Sequence, residues 1–320
     1  DRLLKPRRQA GLGRGIALAG GHHGWNLAPV GDAVLGHVRA DSSPGYDGRV
    51  TGFSRRLIDR SGYEGEGFAS DYDRYRPSPP EVLLAVLMTH AGTDHPQLVV
   101  DLGCGTGLST RAWAGHAERV IGVEANARMV ARARAASGAA NLEFIEGFAD
   151  ETGIGSESAD IVTCAQSFHW MEPAPVLAEA ARLLRRGGVF AAYDYDVVPV
   201  IQPDVDAAFT AHVAARSAAR SRLGIEAGGA TWPKSKHIDQ IRASGLFRFA
   251  REVQCHGEGT IDARRLIGLA HSIGGPRALF DGRAPEVDAT LATLHATAER
   301  QLGDRTWPTV TGYTCRLGIK

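Results

Sequence analysis

No stretch of this sequence comes near the about twenty consecutive apolar residues that a membrane-spanning helix needs. Neither sign of charge prevails. Thirty-six Lys and Arg stand against thirty-six Asp and Glu, so no global field draws the chain to nucleic acid or to an acidic membrane. Cysteine is sparse. Cys104, Cys164, Cys255 and Cys315 form no C-x-x-C pair and no metal-ligand spacing, which excludes a disulfide framework and gives no reason to expect a metal. They read as small buried thiols of a reducing compartment. The N-terminus has no charged start followed by an apolar core and a cleavage site, so a cytoplasmic location is the expectation. An apolar content of 43% against 22% charged residues excludes a disordered chain. The exception is residues 1–50, which are glycine-rich and aperiodic and are expected to be a weakly ordered extension. His22-His23 in that segment reads as a solvated loop, because no further ligands cluster beside it.

The remainder, residues 51–320, is organised around Leu98-Val99-Val100-Asp101-Leu102-Gly103-Cys104-Gly105-Thr106-Gly107. A short apolar run ends at a glycine, as a buried strand does. Three glycines then alternate, and Ser109-Thr110-Arg111-Ala112-Trp113 can open a helix. Strand, glycine turn and helix make the first βα unit of a doubly wound nucleotide-binding sheet. Glycine lets a ligand lie against bare backbone. The spacing is Asp-x-Gly-x-Gly-x-Gly and not the G-x-G-x-x-G that seats a pyrophosphate. An anion at Asp101 repels phosphate and attracts a cationic ligand. Both facts argue against a nicotinamide oxidoreductase. A second apolar run, Val120 to Val123, ends in Glu124, at the distance where a carboxylate takes ribose hydroxyls.

Val99 to Gly107 closely resembles motif I of the class I S-adenosylmethionine-dependent methyltransferases, and Glu124 matches motif II. Gln166-Ser167-Phe168-His169-Trp170, after a fourth strand at 158–165, resembles the signature of a small-molecule subgroup related to trans-aconitate and ubiquinone-pathway enzymes. The resemblance implies a doubly wound, Rossmann-like α/β fold. Seven strands are expected, mostly parallel with the last antiparallel, the core lying at 97–200. It implies S-adenosyl-L-methionine as cofactor, held by Asp101, Gly103, Cys104, Gly105, Glu124, Ala125 and Gln166. Met129 and Phe148 are placed at the adenine, with Ala149, Asp150 or Glu151 beside them, since Phe148 stands where many members carry Asp. An N-terminal lid at 68–90 brings Tyr72, Tyr75 and Arg76 over the methionine moiety, Arg76 pairing its carboxylate. The alternative is a helix cap with packing tyrosines.

His169 is the one candidate catalytic base, its ordinary pKa suiting proton abstraction at neutral pH. The structural alternative is a histidine that holds its loop. Phe168, Trp170, Trp232 and His237 are candidate substrate contacts, and Lys234, His256 and His271 are further possible contacts in a helical cap at 201–308. Strands are expected at 247–255 and 309–317, and Gly187-Gly188 is expected to end the helix at 176–185. The implied activity is methyl transfer to a small organic acceptor on oxygen, nitrogen or carbon by proximity and alignment. The expected partners are that acceptor alone, with no nucleic acid and no membrane, and the oligomeric state is left open. A non-catalytic cofactor-binding scaffold of the same fold is the alternative.

Overall fold

In the computed structural model, β1 (Leu98–Leu102) is buried at every residue, as a strand covered on both faces must be. The structure describes residues 73–224, 232–273, 279 and 282–320. The expectations for residues 1–50, for His22-His23 and for Tyr72 lie outside them. The described residues all fall in the compact unit Arg49–Lys320.

The chain before β1 forms α1 (Glu81–Ala91), preceded by Pro80 at its N-cap. After the glycine turn come α2 (Leu108–Ala112), β2 (Arg119–Glu124), α3 (Ala127–Ala135), β3 (Leu142–Glu146) and β4 (Ala159–Ala165). A short 3-10 helix, Phe168–Trp170, leads to α4 (Pro173–Leu183) and β5 (Leu184–Tyr195). Then follow α5 (Pro203–Arg222), α6 (His237–Ala243), β6 (Phe249–Ile261), α7 (Ala263–Ser272), α8 (Pro285–Leu302) and β7 (Trp307–Ile319). The seven strands form one sheet in the order β3-β2-β1-β4-β5-β7-β6. β1 to β5 pair in parallel, and β7 runs antiparallel to β5 and β6 on either side of it. The expected mixed, Rossmann-like sheet is therefore present, with β7 as its one antiparallel strand among the described residues.

Successive side chains of a strand point to opposite faces, and β1 divides accordingly. Val100 and Leu102 pack with Val176, Leu177 and Ala180 of α4 and with Ile241 of α6. Val99 faces the other way, onto Leu83, Leu84 and Leu87 of α1 and onto Trp113. Asp101, two residues on from Val99, shares that second face.

Three local expectations are corrected. Gly187-Gly188 does not cap a helix. α4 ends at Leu183, and the glycines lie within β5, where Ala159 pairs Leu184 but Ile161 pairs Val189. The extra residues form a bulge that Gly187 allows at φ 81°. β6 is longer than expected and extends to Ile261. The helical cap is formed by α5, α7 and α8, which share an apolar core of Val205, Phe209, Leu266, Leu269, Leu294 and Ala298. α6 lies instead against the sheet.

Gly268 shows how the cap receives the N-terminal segment. A Cβ at this position would lie 2.5 Å from three ring atoms of Tyr75, so the bare helix surface is the slot for that ring. Gly268→Ala closes the slot. Although alanine favours a helix, the displaced ring is expected to cost about 1–3 kcal/mol of stability in guanidinium denaturation. An unchanged midpoint would show that Tyr75 seats elsewhere. Among the described residues no helix is long and apolar enough to cross a membrane.

Candidate active site

The C-terminal ends of β1, β2, β4 and β5 open onto one cavity of about 240 Å³. This is where open α/β sheets bind ligands. Its floor is the glycine turn. Gly103, Gly105 and Gly107 all adopt left-handed φ of 68°, 57° and 79°, which costs any residue with a Cβ. The turn is fastened by Gly103 and Cys104 N–H groups donating to Val123 O at 2.8 and 3.0 Å. A Cβ on Gly105 would meet nothing within 4 Å, so the cavity has open space over that backbone. Cys104 lines the cavity, but its side chain packs with Val130, Ala133 and Phe144. Burial pushes its thiol well up, and it stays protonated and inert.

Glu124 ends β2 inside the cavity. Its Oε2 accepts from Gly105 N–H at 2.9 Å and its Oε1 from Asn126 N–H at 2.9 Å. Two backbone donors thus fix the carboxylate in the rotamer that faces the cavity. Burial raises its pKa, and these same donors act against the rise. Asn126 also caps α3, its Oδ1 accepting from Arg128 and Met129 N–H groups. Ala125, Met129, Phe148, Ala149 and Asp150 line the cavity with it. Arg76, Gln166, Trp170, Met171, Tyr193, Tyr195 and Tyr313 also line the cavity. Tyr193 Oη and Ser109 Oγ share a buried hydrogen bond of 2.5 Å, and Tyr313 Oη donates to Ser78 O at 2.8 Å. Tyr193 and Tyr313 therefore offer mainly ring surface. Arg76 donates to Ser272 O at 2.6 Å and lies over the Tyr195 ring at 5.8 Å.

Six predicted positions lie elsewhere. Tyr75 is outside the lining because the Gly268 slot holds its ring. Asp101 is wholly buried behind the turn, with hydroxyls of Thr110 and Thr163 donating to it at 2.7 and 2.8 Å. It ties α2 and β4 to the end of β1. Burial raises its pKa to about 6, against the pull of those hydroxyls. Phe168 turns into the core against Phe190 and His237, with ring centroids 5.5 and 4.8 Å apart. His237 is buried with it, its Nδ1 3.0 Å from Gln240 Oε1. Trp232 donates its backbone N–H to His169 O at 2.9 Å. His169 itself is in the wall beside Trp170, not in the lining. Burial, then the Lys234 ammonium, push its pKa down to about 3, so it is neutral at physiological pH.

Sequence reasoning passed over the tyrosines of β5 and β7, which read only as strand residues. It also passed over the ion network around Asp194, whose members lie far apart in the chain. Among the described residues no group of three or more His, Cys, Asp or Glu is placed to hold a metal.

Sheet order, glycine turn and cavity together define a Rossmann-like α/β domain. Residues 100–192 match the family described as "Methyltransferase domain". The chain is 36% identical over 118 residues to an uncharacterized methyltransferase of Mycobacterium tuberculosis, a match covering 37% of this chain and 46% of that one. It is 32% identical over 127 residues to the malonyl-[acyl-carrier protein] O-methyltransferase of Pectobacterium atrosepticum, covering 38% and 48%. The chain thus spans about half the length of these relatives. A solved structure of an Anaeromyxobacter dehalogenans protein, provisionally named a type II methyltransferase, superposes with a TM-score of 0.53 at 22% identity. That likeness covers 77% of this chain and 98% of the other, and it shows the shared fold.

Proposed function

We propose that this protein transfers a methyl group from S-adenosylmethionine to a small organic acceptor. The observation that carries the reading is the Glu124 carboxylate, held by two backbone N–H groups inside a cavity floored by glycine. A carboxylate so oriented keeps lone pairs for a pair of vicinal hydroxyls. Bare backbone at Gly105 admits a ligand at contact distance, and Val123, Met129 and Phe148 supply an apolar wall for a heterocycle. The residues present therefore fit an adenosine with a charged tail. The cofactor, when bound, supplies a methyl group already activated by its sulfonium.

The chain supplies position and environment. Glu124 holds the ribose, Arg76 stands in the lining for a carboxylate, and the Asp101 carboxylate sets a negative potential behind the turn. Trp170, Met171, Tyr195 and Tyr313 exclude water and align the acceptor, and such alignment supplies a large part of the barrier reduction in two-substrate reactions. His169, neutral and in the wall, acts here by holding its turn rather than as a base. The Gln166–Trp170 run supports the small-molecule subgroup.

Calorimetry with S-adenosylmethionine and S-adenosylhomocysteine tests the reading. We expect one site per chain with affinity of order 1 μM, about −8 kcal/mol, followed by labelled-methyl transfer to a carboxylate, phenol or amine in an acceptor panel. Binding without transfer to any acceptor would leave the scaffold reading in place of the proposal, and a folded sample that binds neither ligand would remove both.

A further inference from the structure

Beside the cavity, one buried carboxylate is paired with two cations and faces a histidine. Asp194, near the end of β5, is 8% exposed. Its Oδ2 accepts from Arg316 Nη1 of β7 at 2.7 Å, and Arg316 Nε in turn reaches Glu252 of β6 at 3.0 Å. Its other oxygen, Oδ1, lies 2.7 Å from Lys234 Nζ and 4.0 Å from His169 Nδ1. That ring nitrogen is buried without a hydrogen-bond partner. Lys234 also donates to Gln166 Oε1 at 2.7 Å, while Gln166 Nε2 donates to Tyr195 O at 3.2 Å. Gln166 lines the cavity and holds a left-handed φ of 54°, a conformation that costs a residue with a side chain.

We infer that Asp194 Oδ1 is an acceptor for which Lys234 and His169 compete, and that Lys234 is a positioning residue. While its ammonium occupies that oxygen, His169 stays neutral and unpaired and the Gln166 amide is clamped at the cavity. Three observations point the same way. The ammonium is at full bonding distance and the imidazole is not. The pairing closes the 232–237 segment onto the 168–170 turn, where the Trp232–His169 backbone bond and the Phe168–His237 ring contact also act. The charged and titratable groups around His169 are Asp194 on β5, Lys234 on the turn before α6 and His237 on α6, with Arg316 and Glu252 behind Asp194. Removing Lys234 takes away a repulsive cation and frees an anionic acceptor, and both changes favour the imidazolium.

The test is a histidine titration by NMR on the full chain labelled at histidine, with the His169 resonance assigned by its loss in His169→Gln. In the wild-type chain His169 is expected to remain neutral to below pH 4, against an ordinary histidine value of about 6.5. In Lys234→Met its midpoint is expected to rise by about 2 pH units as Nδ1–H closes on Asp194. Lys234→Arg, which keeps the charge, is expected to restore the wild-type behaviour to within about half a unit. Lys234→Gln, a milder loss of the same charge, is measured alongside and gives the same rise if Lys234→Met folds poorly. A His169 midpoint unmoved in a folded charge-removed variant, or equally moved in Lys234→Arg, would overturn the inference. No cofactor enters the measurement, so it stands or fails apart from the proposed methyl transfer.

Discussion

Glu124→Ala is expected to weaken S-adenosylhomocysteine binding by about 10- to 100-fold, or about 1.4–2.8 kcal/mol. The magnitude follows from what the carboxylate does. Its two oxygens are fixed by Gly105 and Asn126 N–H groups, and it stands ready to accept from ligand hydroxyls. Hydrogen bonds to a charged acceptor contribute about 1.5–3 kcal/mol each, net of the exchange with water. Alanine removes the acceptor and leaves water to satisfy the two N–H groups. Folding is expected to suffer far less than binding. Burial raises the Glu124 pKa, so the folded chain bears a desolvation cost for the carboxylate, and truncation relieves that cost while it loses two hydrogen bonds. Glu124→Gln keeps an acceptor without the charge and is expected to fall between wild type and alanine. Calorimetry and thermal melting on the same samples separate the two effects. Affinity unchanged within about twofold in Glu124→Ala would place the ribose elsewhere.

The parts of this site that are legible in the sequence are those set by local chemistry. Gly103, Gly105 and Gly107 stand out because three left-handed positions in five residues exclude other side chains. Glu124 stands out because an acid closing a buried strand is seldom accidental. The faces of β1 follow from the period of two, which also places Asp101 with Val99, on the face opposite Val100 and Leu102. The motif alone hides that orientation, because the same acid at the same spacing suits either a ligand contact or a buried tie. The illegible parts depend on pairing distant in sequence. Gly187-Gly188 resembles a helix end, and only the partnership of Leu184 with Ala159 turns it into a bulge. Arg316 meets Asp194 because β7 inserts beside β5, and Lys234 meets it because the segment leading into α6 folds back. Tyr75 leaves the cavity for a slot created by the absence of one side chain, at Gly268, on a helix almost two hundred residues later. No periodicity announces such contacts.

Asp101→Asn is expected to stabilise the protein at neutral pH while weakening its hold on a cationic ligand. Burial raises the Asp101 pKa from 3.8 to about 6 in the folded chain. The folded state therefore binds this proton more tightly than the unfolded state does. Below about pH 4 the carboxyl is protonated in both states and costs nothing. Between pH 4 and 6 the unfolded chain releases the proton first, and stability falls as pH rises. Above pH 6 the folded chain carries a buried carboxylate at the full cost, about 3 kcal/mol for a shift of this size. Asparagine is neutral throughout and nearly isosteric, and the Thr110 and Thr163 hydroxyls can rotate to serve an amide. The variant should gain stability over wild type at pH 7.5 and lose that gain progressively on going to pH 4. Paired urea melts at several pH values measure the difference. The same substitution removes the anion behind the glycine turn, so the affinity for S-adenosylmethionine should fall more than that for the uncharged-sulfur product S-adenosylhomocysteine. A stability gain independent of pH would mean that Asp101 is ionised at no cost in the folded chain. An equal loss of affinity for both ligands would mean that the carboxylate shapes the turn without its charge reaching the sulfonium.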